Sequence, residues 1–246
     1  MATSMRSALA PSGRGRRRPT ERPPLGRPLF VLNLKTFPSA LGARAVAIAS
    51  ELERAGRAAG VPVAIAPATP DLGRTAEATR VPVLAQHVDP VGPGASTGFV
   101  PVEALAAAGA AGSLVNHSEH PLETPTVGML VRLLADAGLS AVVCARGPAV
   151  ARRLAAFRPP YLAVEPPELI GGSRAVSTAK PEVITGTVAA VRRVARSTRV
   201  LCGAGIHGRE DVRKAIELGA EGILVASAVA LAPRPRRVID DLLSGF

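Results

Sequence analysis

From Leu29 to the end of the chain, apolar and polar positions fall into one recurring unit. A short aliphatic run is followed by a polar or Gly/Pro-marked turn, then by a longer stretch with helical spacing. The aliphatic runs are 30–34 (FVLNL), 61–65 (VPVAI), 82–86 (PVLAQ), 112–116 (GSLVN), 140–144 (SAVVC), 161–165 (YLAVE), 199–203 (RVLCG) and 222–226 (GILVA). Short continuous apolar runs predict strands buried on both faces. The stretches 40–58, 101–109, 124–137, 147–157, 180–195, 209–218 and 235–244 predict helices, and 70–79 a shorter and weaker one. Strands alternating with helices predict an α/β fold with a parallel sheet. Eight such units in about 215 residues fit a closed (β/α)8 barrel, a single domain over 29–246. A doubly wound open sheet is the alternative, but KTFPSALG after the first run lacks the G-x-G-x-x-G spacing that usually marks one.

Composition narrows the picture. A chain of 246 residues can bury one large core. Aromatics make up 2%, with no Trp and a lone Tyr at 161, so small aliphatic side chains must fill that core. The formal charge of +11 is uneven: residues 1–28 hold seven arginines (Arg6, Arg14, Arg16, Arg17, Arg18, Arg22, Arg27) against one acid, Glu21. With Pro, Gly and Ser and little to bury, 1–28 is expected to be a disordered basic extension. Its Arg-rich, acid-poor composition also resembles an organelle transit peptide, or a nucleic-acid arm. No aromatic residues interleave with the arginines to stack on bases, which argues against a nucleic-acid partner. Apolar runs break well before the ~20 residues a bilayer span needs, so no membrane partner is expected. Cys144 and Cys202 lie far apart and read as reduced thiols packed in the core, which points to the cytoplasm.

Functional groups of a (β/α)8 barrel collect at the carboxyl ends of its strands. Those ends carry Asn33 and Lys35, His87, His117, Glu165, Gly203–Gly205 and Ala226–Ser227. Glu165 ends the sixth run; walled by aliphatic residues, a carboxylate there is desolvated and can act as a base, while a solvated surface acid is the plainer reading. After it, Pro166-Pro167 and Lys180-Pro181 bracket Gly171-Gly172, the anatomy of a hinged lid or of a simple glycine turn. His117 precedes Ser118, Glu119 and Pro121, which read as a helix's first turn whose positive end keeps the imidazole neutral. A purely structural histidine is the alternative. Lys35 offers positive charge to an anionic substrate, with Asn33 on the same face of the strand; alone, it is more often a surface lysine. LCGAGI and LVASAV follow the last two runs, where barrels commonly bind phosphate through exposed backbone, here around Gly205, Ala226 and Ser227. His87, His120 and His207 share no ligand spacing, and no metal or cofactor is expected.

Taken in order, LNLKT, AQHVDPVGPGASTG, LVNHSEH, AVEPPELIGG, AKPEV, LCGAGI and ILVAS resemble the triosephosphate isomerase family in its short archaeal-type form. The resemblance runs from Phe30 to Phe246. It implies an enzyme of glycolysis and gluconeogenesis that interconverts dihydroxyacetone phosphate and D-glyceraldehyde 3-phosphate through an enediolate. Glu165 would be the base. His117 would be the neutral electrophile that also shuttles protons between the substrate oxygens. Lys35 would offset the anionic charge, with Asn33 positioning it. Backbone around Ile170, Gly171, Gly172, Gly205, Ala226 and Ser227 would hold the phosphate, and a closing lid would exclude water. Two motifs depart from the family: the lid reads GGSRAVS in place of a Gly-Thr-Gly core, and the last turn reads ASA where a glycine stands third. Residues 88–98 resemble the loop that reaches a partner subunit, which implies a homo-oligomer, dimer or tetramer; a local Gly/Pro loop is the other reading. An aldolase would want a Schiff-base lysine within a strand, and none of the eight runs contains one. A non-catalytic relative is the third reading, and the presence of Lys35, His117 and Glu165 argues against it.

Overall fold

The eight runs become eight parallel strands in the computed structural model, which describes residues 25–166 and 176–246. They are Leu29–Asn33 (β1), Val63–Ala66 (β2), Leu84–Ala85 (β3), Gly112–Val115 (β4), Ser140–Ala145 (β5), Tyr161–Val164 (β6), Arg199–Cys202 (β7) and Gly222–Val225 (β8). The hydrogen-bonded order is β2-β1-β8-β7-β6-β5-β4-β3. A parallel bridge between Ile65 and Val83 joins the two ends and closes the barrel. β2 and β3 start later than the apolar runs suggest because Pro62 and Pro82 have no N–H to give the ladder. Their carbonyls still take part: Pro62 accepts from Phe30 N–H and Pro82 from Ile65 N–H, both at 3.0 Å.

Helices lie between the strands: Ala43–Ala59 (α1), Leu72–Ala78 (α2), Val102–Ala107 (α3), Thr124–Asp136 (α4), Pro148–Ala155 (α5), Val176–Ala179 (α6), Pro181–Val194 (α7), Arg209–Glu217 (α8), Ser227–Ala230 (α9) and Pro235–Leu243 (α10). Each helical stretch read from the sequence is present, within a few residues at each end. The four-residue α6 and α9 were not foreseen as separate helices, because one turn is too short to show a period.

Alternation along the strands sorts the core into two layers. Leu29 and Val31 point into the barrel with Ala64, Leu84, Leu114, Val142, Ala163, Leu201 and Leu224. Phe30 and Leu32 point outward into the layer beneath the helices. Continued upward, the inward positions become Asn33 on β1, Glu165 after β6 and Gly203 after β7. The alternation that packs the core thus delivers polar groups to the mouth.

The opposite end is sealed by Leu25, which is 7% exposed and packs with the interior layer. The Tyr161 hydroxyl lies 2.6 Å from the Leu25 carbonyl oxygen and 2.9 Å from that of Gly26. Leu25–Pro28 therefore belong with the barrel, and the expected boundary after residue 28 moves to Leu25 or before, because a leucine filling the floor of a closed sheet is not an extension. Residues 1–24 lie outside the described residues. Among the described residues no helix is long and apolar enough to cross a membrane. Cys144 and Cys202 are free and buried.

Candidate active site

A cleft at the barrel mouth is lined by Asn33, Lys35, His117, Glu165, Gly205, Ala226 and Ser227, together with Gly203, Leu224 and Val225. Seven of the ten residues expected at the site from sequence thus meet in one place. The other three, Ile170, Gly171 and Gly172, lie outside the described residues.

Glu165 follows β6, its N–H donating to the Ala145 carbonyl at 2.8 Å. The residue is 3% exposed, and its Oε2 is buried without a hydrogen-bond partner. Burial raises its pKa to about 7, opposed by the neighbouring Cys144 thiol and the Lys35 ammonium and reinforced slightly by Glu119. A carboxylate in that state is poised to take a proton near neutral pH. Its room depends on Gly203: a Cβ there would stand 2.5 Å from Glu165 Cγ.

His117 reaches the cleft through a break in the alternation. Leu114 faces the interior and Val115 the helices, so a continuing strand would turn the side chain at 117 outward. Asn116 instead takes a φ of 62°. Its amide donates to the Cys144 carbonyl, and its Oδ1 accepts from Leu122 N–H, each at 2.9 Å. Asparagine tolerates this left-handed geometry better than most residues because its short polar side chain can bond locally. The next side chain, His117, then turns inward, with Nε2 3.7 Å from Glu165 Oε1.

The expected helix turn at Ser118–Pro121 is absent. Residues 118–120 form a tight turn and α4 begins only at Thr124, with Pro125 in its first turn. The neutrality of His117 therefore has a local cause and not a helix dipole. Burial lowers its pKa, with Lys35 acting in the same direction and Glu119 opposing. The N–H of Glu119 donates to Nδ1 at 3.2 Å. That bond fixes the tautomer, leaving the proton on Nε2, the nitrogen facing Glu165.

Lys35 follows β1 with a φ of 48°, a conformation costing a non-glycine residue roughly 1 kcal/mol or more. Side chains hold it there. Its N–H donates to Asn33 Oδ1 at 2.9 Å. Its carbonyl accepts from Gln86 Nε2 at 2.9 Å, and the same nitrogen reaches the Ala66 carbonyl at 3.0 Å. The ammonium pairs with Glu119 Oε1 at 2.6 Å.

Glu119, Gln86 and Asn116 are the supporting residues that sequence reading passed over, while Gly203 stands among the strand ends it named but without the role of making room for Glu165. Glu119 stands two positions after His117 but reads as part of a helix turn. Gln86 is the one polar residue of its apolar run, a signal that was available. His87 stays out of the cleft: its Nε2 lies 3.1 Å from Asp89 Oδ1, and its ring stacks on His120 with centroids 3.6 Å apart. The two thiols are inert, burial pushing Cys202 up to about 12 and Cys144 well above its ordinary value. Among the described residues no group of three His, Cys, Asp or Glu side chains is arranged to hold a metal ion.

A family model described as triosephosphate isomerase matches residues 28–241. The chain belongs to the triosephosphate isomerase family. It is 43% identical over 220 residues to the triosephosphate isomerase of Methanothermus fervidus, covering 89% of this chain and 99% of that one. It is 43% identical over 217 residues to that of Methanothermobacter thermautotrophicus, covering 88% and 95%. It is 44% identical over 205 residues to that of Caldivirga maquilingensis, covering 83% and 91%. In this family member the fold agrees with the resemblance read from the motifs.

Proposed function

We propose that this chain interconverts dihydroxyacetone phosphate and D-glyceraldehyde 3-phosphate, in the cytoplasm and within glycolysis and gluconeogenesis. The observation that carries the reading is the facing pair, Glu165 Oε1 and His117 Nε2, at 3.7 Å across a cleft that Lys35 enters from another strand. The Glu165 carboxylate takes the proton from the carbon next to the substrate carbonyl, and the electrons of that C–H bond pass into the enediolate. His117 donates from Nε2 to the carbonyl oxygen and moves a proton between the two oxygens. Glu165 then returns its proton to the adjacent carbon. Preset donors facing the developing charge lower the barrier without reorganising. The Lys35 ammonium offsets the charge of enediolate and phosphate, displaced part-way from Glu119, and Asn33 keeps its backbone in place. Backbone at Gly205, Ala226 and Ser227 takes the phosphate, and the reading gives Ile170, Gly171 and Gly172 the same task from a closing lid.

A coupled assay of the purified protein with glyceraldehyde 3-phosphate tests this directly, with turnover expected and its absence overturning the reading. Glu165→Gln should abolish turnover while a phosphate-bearing analogue still binds. A homo-oligomer, dimer or tetramer, fits the loop after β3. Asp89 closes the loop's base with two bonds to Val100, at 2.7 and 2.9 Å, and Phe99 is left 54% exposed. Light scattering at micromolar protein would reveal a monomer if this is wrong.

A further inference from the structure

Away from the cleft, the described surface is uneven in how it neutralises arginine. On α1, α4, α8 and α10 a basic residue pairs with an acid about one turn away: Arg57 with Glu53, Arg132 with Asp136, Arg213 with Glu210, Arg236 with Asp240. α5 contains no acid, and α7 has only Glu182, in its first turn. Their last turns and the loops that follow carry Arg152, Arg153, Arg158, Arg192, Arg193 and Arg196, all exposed. None of the six forms an ion pair with a described acid.

The fold brings these six together. α5 and α7 both run from mouth to floor, and Pro148 in α5 lies against Gly186 in α7, where a Cβ would stand 3.4 Å from the proline ring. Descending about 1.5 Å per residue from that contact, Arg152 and Arg153 come down beside the last turn of α7. Below, the Thr198 hydroxyl donates to the Pro159 carbonyl at 2.7 Å, tying the loop of Arg158 to the loop of Arg196. A favourable helix-end dipole accounts for a cation in a last turn. It does not account for arginines in both loops or for the missing acids.

We propose that this floor-side edge beneath β6 and β7 docks on the phosphate backbone of duplex nucleic acid. All six residues are guanidiniums, whose planar fork suits phosphate oxygens. Val194 is the only large apolar residue exposed on these two helices, at 37%, so the edge has no anchor for a membrane interface or an apolar partner core. It exposes no aromatic ring on which unpaired bases could stack, which favours the regular charge of a duplex over a single strand. The sequence argues against a base-stacking arm in 1–28, and this edge needs no such arm. The chain joins the barrel beside it, where Tyr161 holds Leu25 and Gly26.

Full-length protein titrated into a fluorescein-labelled DNA duplex, read by anisotropy across a salt series, tests the proposal. Replacing Arg152, Arg153, Arg192 and Arg193 by Gln should weaken binding at least ~10-fold near 0.1 M salt and make the slope of log K against log salt shallower by about 3. Replacing Arg54, Arg57, Arg132 and Arg213 by Gln removes the same charge elsewhere and should change the slope far less. Both variants should keep the native isomerase rate, since none of the eight positions lines the cleft. If the first variant loses that rate, the loop pair Arg158→Gln with Arg196→Gln takes its place, with a slope shallower by about 1 to 2. Unchanged binding in the edge variants would assign the affinity to residues 1–24 and overturn the proposal. Equal losses in edge and control variants would reduce it to net charge, and tighter binding to phosphatidylserine vesicles than to duplex would replace it with a membrane.

Discussion

At the floor of the barrel Tyr161 is 1% exposed and its hydroxyl has two carbonyl partners. At the mouth Glu165, 3% exposed, has an oxygen with none. Two polar groups equally removed from water are treated in opposite ways by one sheet. The floor satisfies its hydroxyl and packs Leu25 around it, which serves stability. The mouth leaves a carboxylate desolvated, opposite a histidine whose tautomer is fixed, and holds Lys35 and Asn116 in left-handed backbone geometry. Buried polar groups are normally paired because an unmade bond costs about 1–3 kcal/mol. Among the described residues Glu51, Ser177 and Thr187 also bury an unpartnered oxygen, but only Glu165 stands in the cleft, facing an imidazole.

The largest effect that would sharpen this contrast comes from Glu165→Gln. Removing the proposed general base should lower kcat/KM by about 10³-fold or more, while the fold becomes sturdier at alkaline pH. The sign follows from linkage: the folded pKa of about 7 lies above the ordinary 4.5, so the native state loses stability as pH rises through that window. Glutamine escapes this loss. Thermal melts should show the variant ahead by roughly 3 kcal/mol at pH 8.5, with the gap closing below pH 4.5. A variant no more stable than the native protein at pH 8.5 would break the contrast between the two ends.

Gly203→Ala comes next. Its added methyl meets the Glu165 side chain at 2.5 Å, so kcat should fall by about 10- to 100-fold and stability by about 1–3 kcal/mol. A comparable loss in kcat with no displacement of the acid limb of the pH–rate profile would mean that the carboxylate had not been disturbed. At the floor, Tyr161→Phe removes the donor to two carbonyls and should cost about 1–2 kcal/mol in denaturant unfolding, with kcat unchanged. Deleting residues 1–24 should leave both kcat and the unfolding midpoint where they are. Extending the deletion through Pro28 removes Leu25 and should cost about 2 kcal/mol more, again without touching kcat.

The sequence carried the barrel clearly because continuous aliphatic runs and helical spacing are local signals, repeated eight times. It carried Glu165, His117 and Lys35 because each stands at the end of such a run. It did not carry the reason His117 faces inward, since nothing in LVNHSEH announces that Asn116 adopts a positive φ. The dipole argument failed for a related reason: Ser118, Glu119 and Pro121 have helix-start chemistry, yet the chain forms a tight turn and waits until Thr124. Glu119 and Gln86 act through contacts across 84 and 51 positions of chain, beyond the reach of any local pattern. The floor was misread for want of a partner, because Leu25 looks like part of a basic extension until Tyr161 is placed beside it.

Gln86 has a mechanical consequence. The cylinder is joined between β2 and β3 by a lone bridge at Ile65 and Val83, its thinnest seam. Just above that seam the Gln86 amide clips the Ala66 and Lys35 carbonyls together. When the wall breathes there, the backbone beneath the ammonium slackens with it. Deuterium should enter first along this stave, and occupancy of the cleft by a phosphorylated ligand should slow it, so that the residue carrying the cleft's ammonium doubles as a latch on the barrel.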